Sequence, residues 1–269
     1  MAGKFGLLSS EPLTLFTIRF LIAGVLLLTF TVITSRSRWP TGKEWIQLSI
    51  FGAFNTALYL GIFIIALADI TAGITALAIA LNPLMISVFS SLLMKRLTSP
   101  LEWISILVGI AGVTIATYPL LRSGHATTTG MILLGLSMVA YSIGSVYYSS
   151  VKWSLPKSVI NGWQVFIGGL LLLPFTLLFE GSGTSYDSRF WLSIAWLVIP
   201  VSIAAVQLWL YLLKEDAVKA SLWLFLCPIF GLLYSTWLLD EPFTWHTVAG
   251  TCLVLVGLYV GQYRKVVAS

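Results

Sequence analysis

The sequence predicts an all-α membrane protein built from two inverted repeats of five transmembrane helices, with the first helix largely missing and nine complete spans. Three observations carry that prediction. Of 269 residues, 58% are hydrophobic and only 9% are charged, against roughly 25% charged residues in an ordinary soluble domain. The apolar residues arrive in runs of about 20, the length that takes a helix across a hydrocarbon core of roughly 30 Å. The second half of the chain also repeats the pattern of the first.

Hydrophobicity read against turn and charge signals gives full spans at 12–34, 44–67, 70–94, 100–121, 129–151, 158–180, 189–213, 217–239 and 242–263. Some gaps are as short as Ala68-Asp69 and Asp240-Glu241, so the helices that flank them are expected to be antiparallel neighbours. The opening MAGKFGLL has one Lys, too short an apolar run and no small-residue cleavage site, so no cleavable signal peptide is expected.

The net charge of +5 does not point to nucleic acid, because the basic residues sit in the gaps and not along one polar face. Assigning alternate gaps to opposite sides puts Arg36, Arg38, Lys43, Lys95, Arg96, Lys152, Lys157, Lys214, Lys219, Arg264 and Lys265 on one side. The other side receives only Lys4, Arg122 and Arg189. By the positive-inside rule the richer side is cytoplasmic. A multi-pass protein of a bacterial cytoplasmic membrane is expected, with its C-terminus in the cytoplasm.

Sliding the chain against itself by 145 positions places Arg19 on Gln164, Gly24 on Gly169, Pro83 on Pro228, Ser90 on Ser235 and Gly112 on Gly257 without a gap. The expected repeats are residues 1–121 and 129–263. Five helices per repeat is an odd number, so the second copy enters the membrane upside down, the plan of many secondary transporters. Equivalent loops agree: Lys95-Arg96 in the first copy corresponds to Asp240-Glu241 in the second, basic facing the cytoplasm and acidic facing out. Residues 1–8 correspond to 146–153, the end of a span, so the sequence reads as beginning partway through a tenth helix.

The stretches EPLTLFTIRFLIAG, LNPLMISVFSSLL, LEWISILVGIAGV, AYSIGSVYYS, GWQVFIGGLLLLP and LLDEPFTWHTVAGTCLVLVGLYVG, in this order and duplication, resemble the drug/metabolite transporter superfamily and within it the EamA-type ten-helix carriers. The resemblance spans nearly the whole chain. It implies two inverted five-helix repeats, a central substrate cavity and frequent export of amino acids or related metabolites. The chain departs from the pattern in its shortened first helix and in Arg96, where these proteins often carry Glu.

Candidate site residues follow from polarity at depth. Arg19 lies about seven residues into its span, ~10 Å below the boundary by helical rise, where a charge faces a bundle interior or snorkels to the headgroups. Gln164 occupies the symmetric position. Asn55 and Tyr59, and likewise Gln207 and Tyr211, fall four apart on one face of counterpart helices, in a pattern that suits either a polar cavity or interhelical hydrogen bonds. Asn82-Pro83 and Cys227-Pro228 interrupt symmetric helices near mid-membrane. Broken helices in corresponding positions point to a binding site, so Asn82 joins the candidate substrate contacts, with Pro83 and Pro228 as hinges. Trp163 and Tyr141 could add aromatic contacts, although Trp near a membrane end also anchors helices at the interface, the role expected of Trp39, Trp45, Trp103, Trp153, Trp191 and Trp245. Cys227 and Cys252 are expected to be buried packing residues.

All ten carboxylates fall at or near helix ends, so coupling through a buried carboxylate is not expected and facilitated diffusion is the preferred mechanism. No P-loop and no HExxH site occurs. Gly135-Leu136-Ser137 is a faint protease-like feature, but His125 and His246 are expected at outer helix ends, out of reach as a base. No catalytic residue, cofactor or metal is expected. The expected partners are a small-molecule substrate and the lipid bilayer, with no nucleic acid, and a homodimer is an allowed assembly. The expected function is transport of a small metabolite, with export of amino acids or related compounds by alternating access. The alternatives are a sugar-phosphate or nucleotide-sugar carrier, which needs more buried cations than Arg19 alone, and a non-transporting scaffold or truncated remnant.

Overall fold

A computed structural model of the chain describes residues 2–262 apart from 36–37, 68, 71, 123–125, 182 and 231–243. Arg36, His125, Ser235, the Asp240-Glu241 loop and the C-terminal Arg264 and Lys265 therefore lie outside the described residues. An apolar helix occupies each of the nine expected span positions. Seven are long and apolar enough to cross a membrane by themselves, and Ala217–Phe230 and Trp245–Gly261 are shorter among the described residues. The protein is an all-α membrane protein.

In chain order the helices are α1 (Ala2–Gly6), α2 (Pro12–Ser35), α3 (Lys43–Ala66), α4 (Ala72–Ala80), α5 (Asn82–Met94), α6 (Pro100–Arg122), α7 (Thr128–Ser150), α8 (Lys157–Phe179), α9 (Ser188–Glu215), α10 (Ala217–Phe230) and α11 (Trp245–Gln262). They form two compact units. The first comprises residues 1–65 and 147–214, the second residues 66–146 and 215–269. Each unit thus takes helices from both halves of the sequence.

In the first unit α2 packs against α8, its counterpart in the repeat. The Glu180 carboxylate accepts from the backbone N–H of Leu13 and Thr14, both at 2.6 Å, and the Thr17 and Thr176 hydroxyls share a bond of 2.8 Å. Farther along, Gly24 lies against Phe166 and Gly162 against Leu28. Partner numbers fall on α8 as they rise on α2, so the two equivalent helices run antiparallel. In the second unit α6 and α11, also counterparts, do the same: Ser105 donates to the Gly257 carbonyl at 2.6 Å, while Gly112 and Ala116 meet Gly250. Equivalent helices running in opposite directions are what inversion of the second repeat requires.

Both halves carry the same interruptions. Residues Ala53–Gly61 of α3 and Leu197–Ala205 of α9 are wound as π-helix, each over nine residues, and the two stretches coincide within one residue in the repeat register. The helix break at Leu81 comes just before Pro83, and a 3₁₀ turn at Trp223–Phe225 comes just before Pro228. Proline withholds a backbone donor from the preceding turn, so a local rewinding beside each proline is the expected consequence. Leu81 keeps right-handed helical dihedrals, φ −81° and ψ −14°, and its N–H is shared between the Leu77 and Ala78 carbonyls at 3.1 Å each.

Aspartates cap the starts of α9 and α10. Asp187 starts α9 by accepting from the Phe190 N–H at 2.9 Å. That bond, and with it one from the Ser9 hydroxyl, holds the Asp187 carboxyl below its usual range. Cys227 and Cys252, expected as buried packing residues, are instead exposed. In a bilayer the outer surface of a helix meets acyl chains, so a thiol keeps an apolar setting without being covered by protein.

Gly250 and Gly135 form a matched test of where the helices touch. A Cβ on Gly250 would come within 2.4 Å of the Gly112 carbonyl oxygen and 2.6 Å of the Ala116 nitrogen, whereas one on Gly135 meets nothing within 4 Å. Thermal unfolding in detergent is therefore expected to show opposite signs: Gly250→Ala destabilises by about 1–3 kcal/mol through overpacking, and Gly135→Ala stabilises by about 0.5–1 kcal/mol through helix propensity.

Candidate functional site

The first unit contains a continuous polar network inside an apolar helix bundle. Gln164 of α8, 1% exposed, accepts through Oε1 from the Asn55 Nδ2 at 3.2 Å and from the Thr56 Oγ1 at 2.6 Å. Its own Nε2 donates to Asn161 Oδ1 at 3.2 Å. Asn161 Nδ2 donates in turn to the backbone carbonyl of Ser202 at 3.0 Å, and the Ser202 hydroxyl accepts from the Arg19 Nε at 3.0 Å. The chain runs from one π-helical stretch, which carries Asn55 and Thr56, to the other, which carries Ser202.

Local sequence explains the convergence. Gly52 and Gly168 let α3 approach α8 so closely that a Cβ at either would meet the Gln164 carbonyl oxygen at 2.7 Å or the Thr56 side chain at 2.4 Å. The π turn is the second device. Successive residues of an α-helix diverge around its axis, yet Asn55 and Thr56 both reach one oxygen from a rewound segment, the kind of irregularity that recurs at functional sites.

Arg19 resolves its two alternatives in favour of the interior: it is 4% exposed and does not snorkel. Its guanidinium carbon lies 5.0 Å from the ring centroids of both Phe16 and Phe20. The ion pairs among the described residues are Arg38 with Glu44 and Arg96 with Glu102 and Asp216, so Arg19 has no carboxylate partner there. Its hydrogen bond is made through Nε.

Of the other residues expected in this unit, Gln207 is half-buried and its Oε1 is shielded without a partner among the described residues. Tyr211 stands apart from the network: it is 52% exposed and its ring carries the Lys157 ammonium at 4.1 Å. Trp163 packs among Trp39, Trp45 and Phe166, with centroids 5.4, 4.6 and 6.1 Å away. Sequence reasoning missed Thr56, Asn161 and Ser202. The one available signal was Asn161 three residues before Gln164, on the same helix face.

The second unit holds Asn82 and Tyr141, both buried. Asn82 Oδ1 accepts from the Ser142 hydroxyl at 3.3 Å and its Nδ2 lies 3.2 Å from the Met138 sulfur. The hydroxyls of Ser90 and Ser145 are buried without partners among the described residues. At the end of this unit Arg96 joins two carboxylates, Glu102 and Asp216, each at 2.7 Å. The three residues line a cavity of about 290 Å³ with Ser99, Lys219 and Gly261. Burial alone would lower the affinity of the Arg96 guanidinium for its proton, but the two carboxylates outweigh it and raise the pKa above its usual value. No group of three or more His, Cys, Asp or Glu side chains suited to a metal occurs among the described residues.

The sequence profile of the EamA-like transporter family matches residues 1–118 and 128–261. The chain belongs to that family. An uncharacterized transporter of Archaeoglobus fulgidus is 26% identical over 260 residues, covering 96% of this chain and 91% of its own length. The uncharacterized inner membrane transporter YedA of Escherichia coli K12 is 27% identical over 276 residues, covering 98% and 88%. Protein PecM of Dickeya dadantii is 26% identical over 259 residues, covering 94% and 84%. A crystal structure 21% identical in sequence superposes with a TM-score of 0.77 over 94% of this chain and 88% of its own, which shows a shared fold. The EamA-family protein is accordingly a multi-pass membrane transporter.

Two substitutions test the polar clusters separately. Gln164→Leu removes the acceptor of Asn55 and Thr56 and strands them beside Asn161, and is expected to cost roughly 1–3 kcal/mol in detergent unfolding. Arg96→Gln leaves Glu102, 5% exposed, as a buried carboxylate without its cation, a loss on the order of 3 kcal/mol. The double variant Arg96→Gln, Glu102→Gln is expected to recover much of that loss.

Proposed function

We propose that this transporter exports a small amino acid or a chemically similar metabolite across the cytoplasmic membrane by alternating access, with no enzymatic step and no cofactor. The observation that carries the proposal is the buried network of Arg19, Ser202, Asn161, Gln164, Asn55 and Thr56. It brings amide, hydroxyl and guanidinium groups together within one helix unit, where a soluble-protein core would carry aliphatic side chains. Polar groups at membrane depth that face a bundle interior mark substrate pathways. Arg19, Asn55, Tyr59, Gln164 and Gln207, all within the first unit, are the proposed substrate contacts. Trp163 has an interfacial role in this scheme, and Tyr211 is tied to Lys157.

The membrane-spanning carboxylate that proton-driven carriers use as a relay has no candidate mid-span in the sequence, which supports movement down the metabolite gradient. The Lys and Arg bias supports a cytoplasmic C-terminus.

The test is counterflow of pooled labelled amino acids and metabolites in liposomes that contain the purified protein. The expected result is saturable exchange of at least one small amino acid, reduced about tenfold or more by the pair Asn55→Leu, Gln164→Leu and retained by Leu178→Ala on the outer surface, a residue 77% exposed. Absence of exchange for every solute overturns the proposal.

A further inference from the structure

We infer that Arg19 is a carboxylate subsite, and that the cargo class is therefore small solutes bearing one carboxylate group. The inference rests on the proposed transport function and makes its substrate class specific. Its basis is the contrast between the burial of Arg19 and its partners. An arginine stays protonated at neutral pH and presents a planar fork of N–H donors that matches a carboxylate in two parallel bonds. Here the side chain is 4% exposed, and Ser202 takes the Nε donor. The terminal nitrogens have no hydrogen-bond partner among the described residues, and they are not among the fully shielded, unpartnered side-chain atoms there. The donors that remain are the ones a carboxylate uses.

Removing a charge from water without a counterion is strongly unfavourable. The rings of Phe16 and Phe20, both at 5.0 Å, return part of that cost through cation–π attraction. They also restrict where the guanidinium can go. The Ser202 bond fixes the Nε edge, and Ser202 is itself held in place through Asn161 and Gln164. A binding group locked by surrounding hydrogen bonds is already in its working orientation before a ligand arrives. The remaining charge is +1, and a single carboxylate balances it. A phosphate monoester, at nearly two negative charges near pH 7, requires a second cation. Lys157, a further cation of this unit, is held over the Tyr211 ring.

The experiment compares solutes that differ at one group. In the liposome assay and in thermal-shift titrations of the detergent-purified protein, each small amino acid is set beside its amide, its decarboxylated amine and its 2-hydroxy acid, with inorganic phosphate and glycerol phosphate as further probes. The expected result is response to the amino acid and to the hydroxy acid, and a loss of roughly 30-fold or more for the amide and the amine, as when one partner of a buried charge pair is removed. Arg19→Gln abolishes the preference for the acid over its amide, and Arg19→Lys keeps the charge without the fork and retains part of it. The analogue series on the unaltered protein needs no variant, so a poorly folding Arg19→Gln does not block the test. Transport that treats amide, amine and acid alike, or that is confined to phosphates, overturns the carboxylate assignment while the transport function stands. Absence of response to every solute overturns both.

Discussion

Backbone contact between equivalent helices, made possible by glycine, is the constraint on which the rest of this structure depends. Lipid tails are as apolar as leucine, so helices in a membrane gain nothing from hydrophobic exclusion and must instead pack closely. Gly24 and Gly169, equivalent in the repeat, lie on the two sides of the α2–α8 contact. Gly112 and Gly257, also equivalent, lie on the two sides of the α6–α11 contact. Each inverted pair is therefore self-complementary. It follows that neither half of the sequence makes a compact unit by itself, since each unit contains helices from both halves.

That close approach also positions the polar groups. Gly52 and Gly168 bring α3 onto α8, and only at such separations can Asn55 and Thr56 reach Gln164 across the helix contact. The π-helical windings at Ala53–Gly61 and Leu197–Ala205 belong to the same arrangement. A π turn sacrifices regular hydrogen-bond geometry, and the sheltered polar network beside it supplies compensating bonds. Its appearance at equivalent places in both repeats indicates a property of the repeat and not an accident of one helix.

Hydropathy and charge make most of the fold legible, because the bilayer imposes a length and a sidedness that few other environments do. All nine spans have an apolar helix in their place, whereas the packing of counterpart helices as antiparallel pairs emerged only from the structure. Arg19, Asn55 and Gln164 were legible as buried polar residues because charge or amide at depth is costly and therefore informative. Thr56, Asn161 and Ser202 were not, since a hydroxyl can bond to its own helix backbone at little cost and Asn161 lies near a helix end, where polar residues are ordinary. The π windings were illegible for a related reason: they shift the facing of side chains by less than hydrophobic periodicity resolves. Tyr211 shared the helical spacing of Gln207 but meets Lys157, and Trp163, adjacent to Gln164, meets Trp39 and Trp45. Spacing along a helix gives a face, and depth decides what that face meets.

The two arginines with buried settings show how satisfaction separates architecture from function. Arg96 is bound by Glu102 and Asp216 at 2.7 Å each, and Ser99 and the start of α10 support those carboxylates in turn. Its charge is answered within the protein, which fits a structural clasp. Arg19 is more deeply enclosed, yet among the described residues it meets a serine hydroxyl and two phenylalanine rings and no carboxylate. A folded chain that needed only stability would gain by replacing such a residue with an apolar one of similar volume. Retaining an unanswered cation amid an otherwise satisfied network has a physical rationale when the missing partner comes from outside the chain.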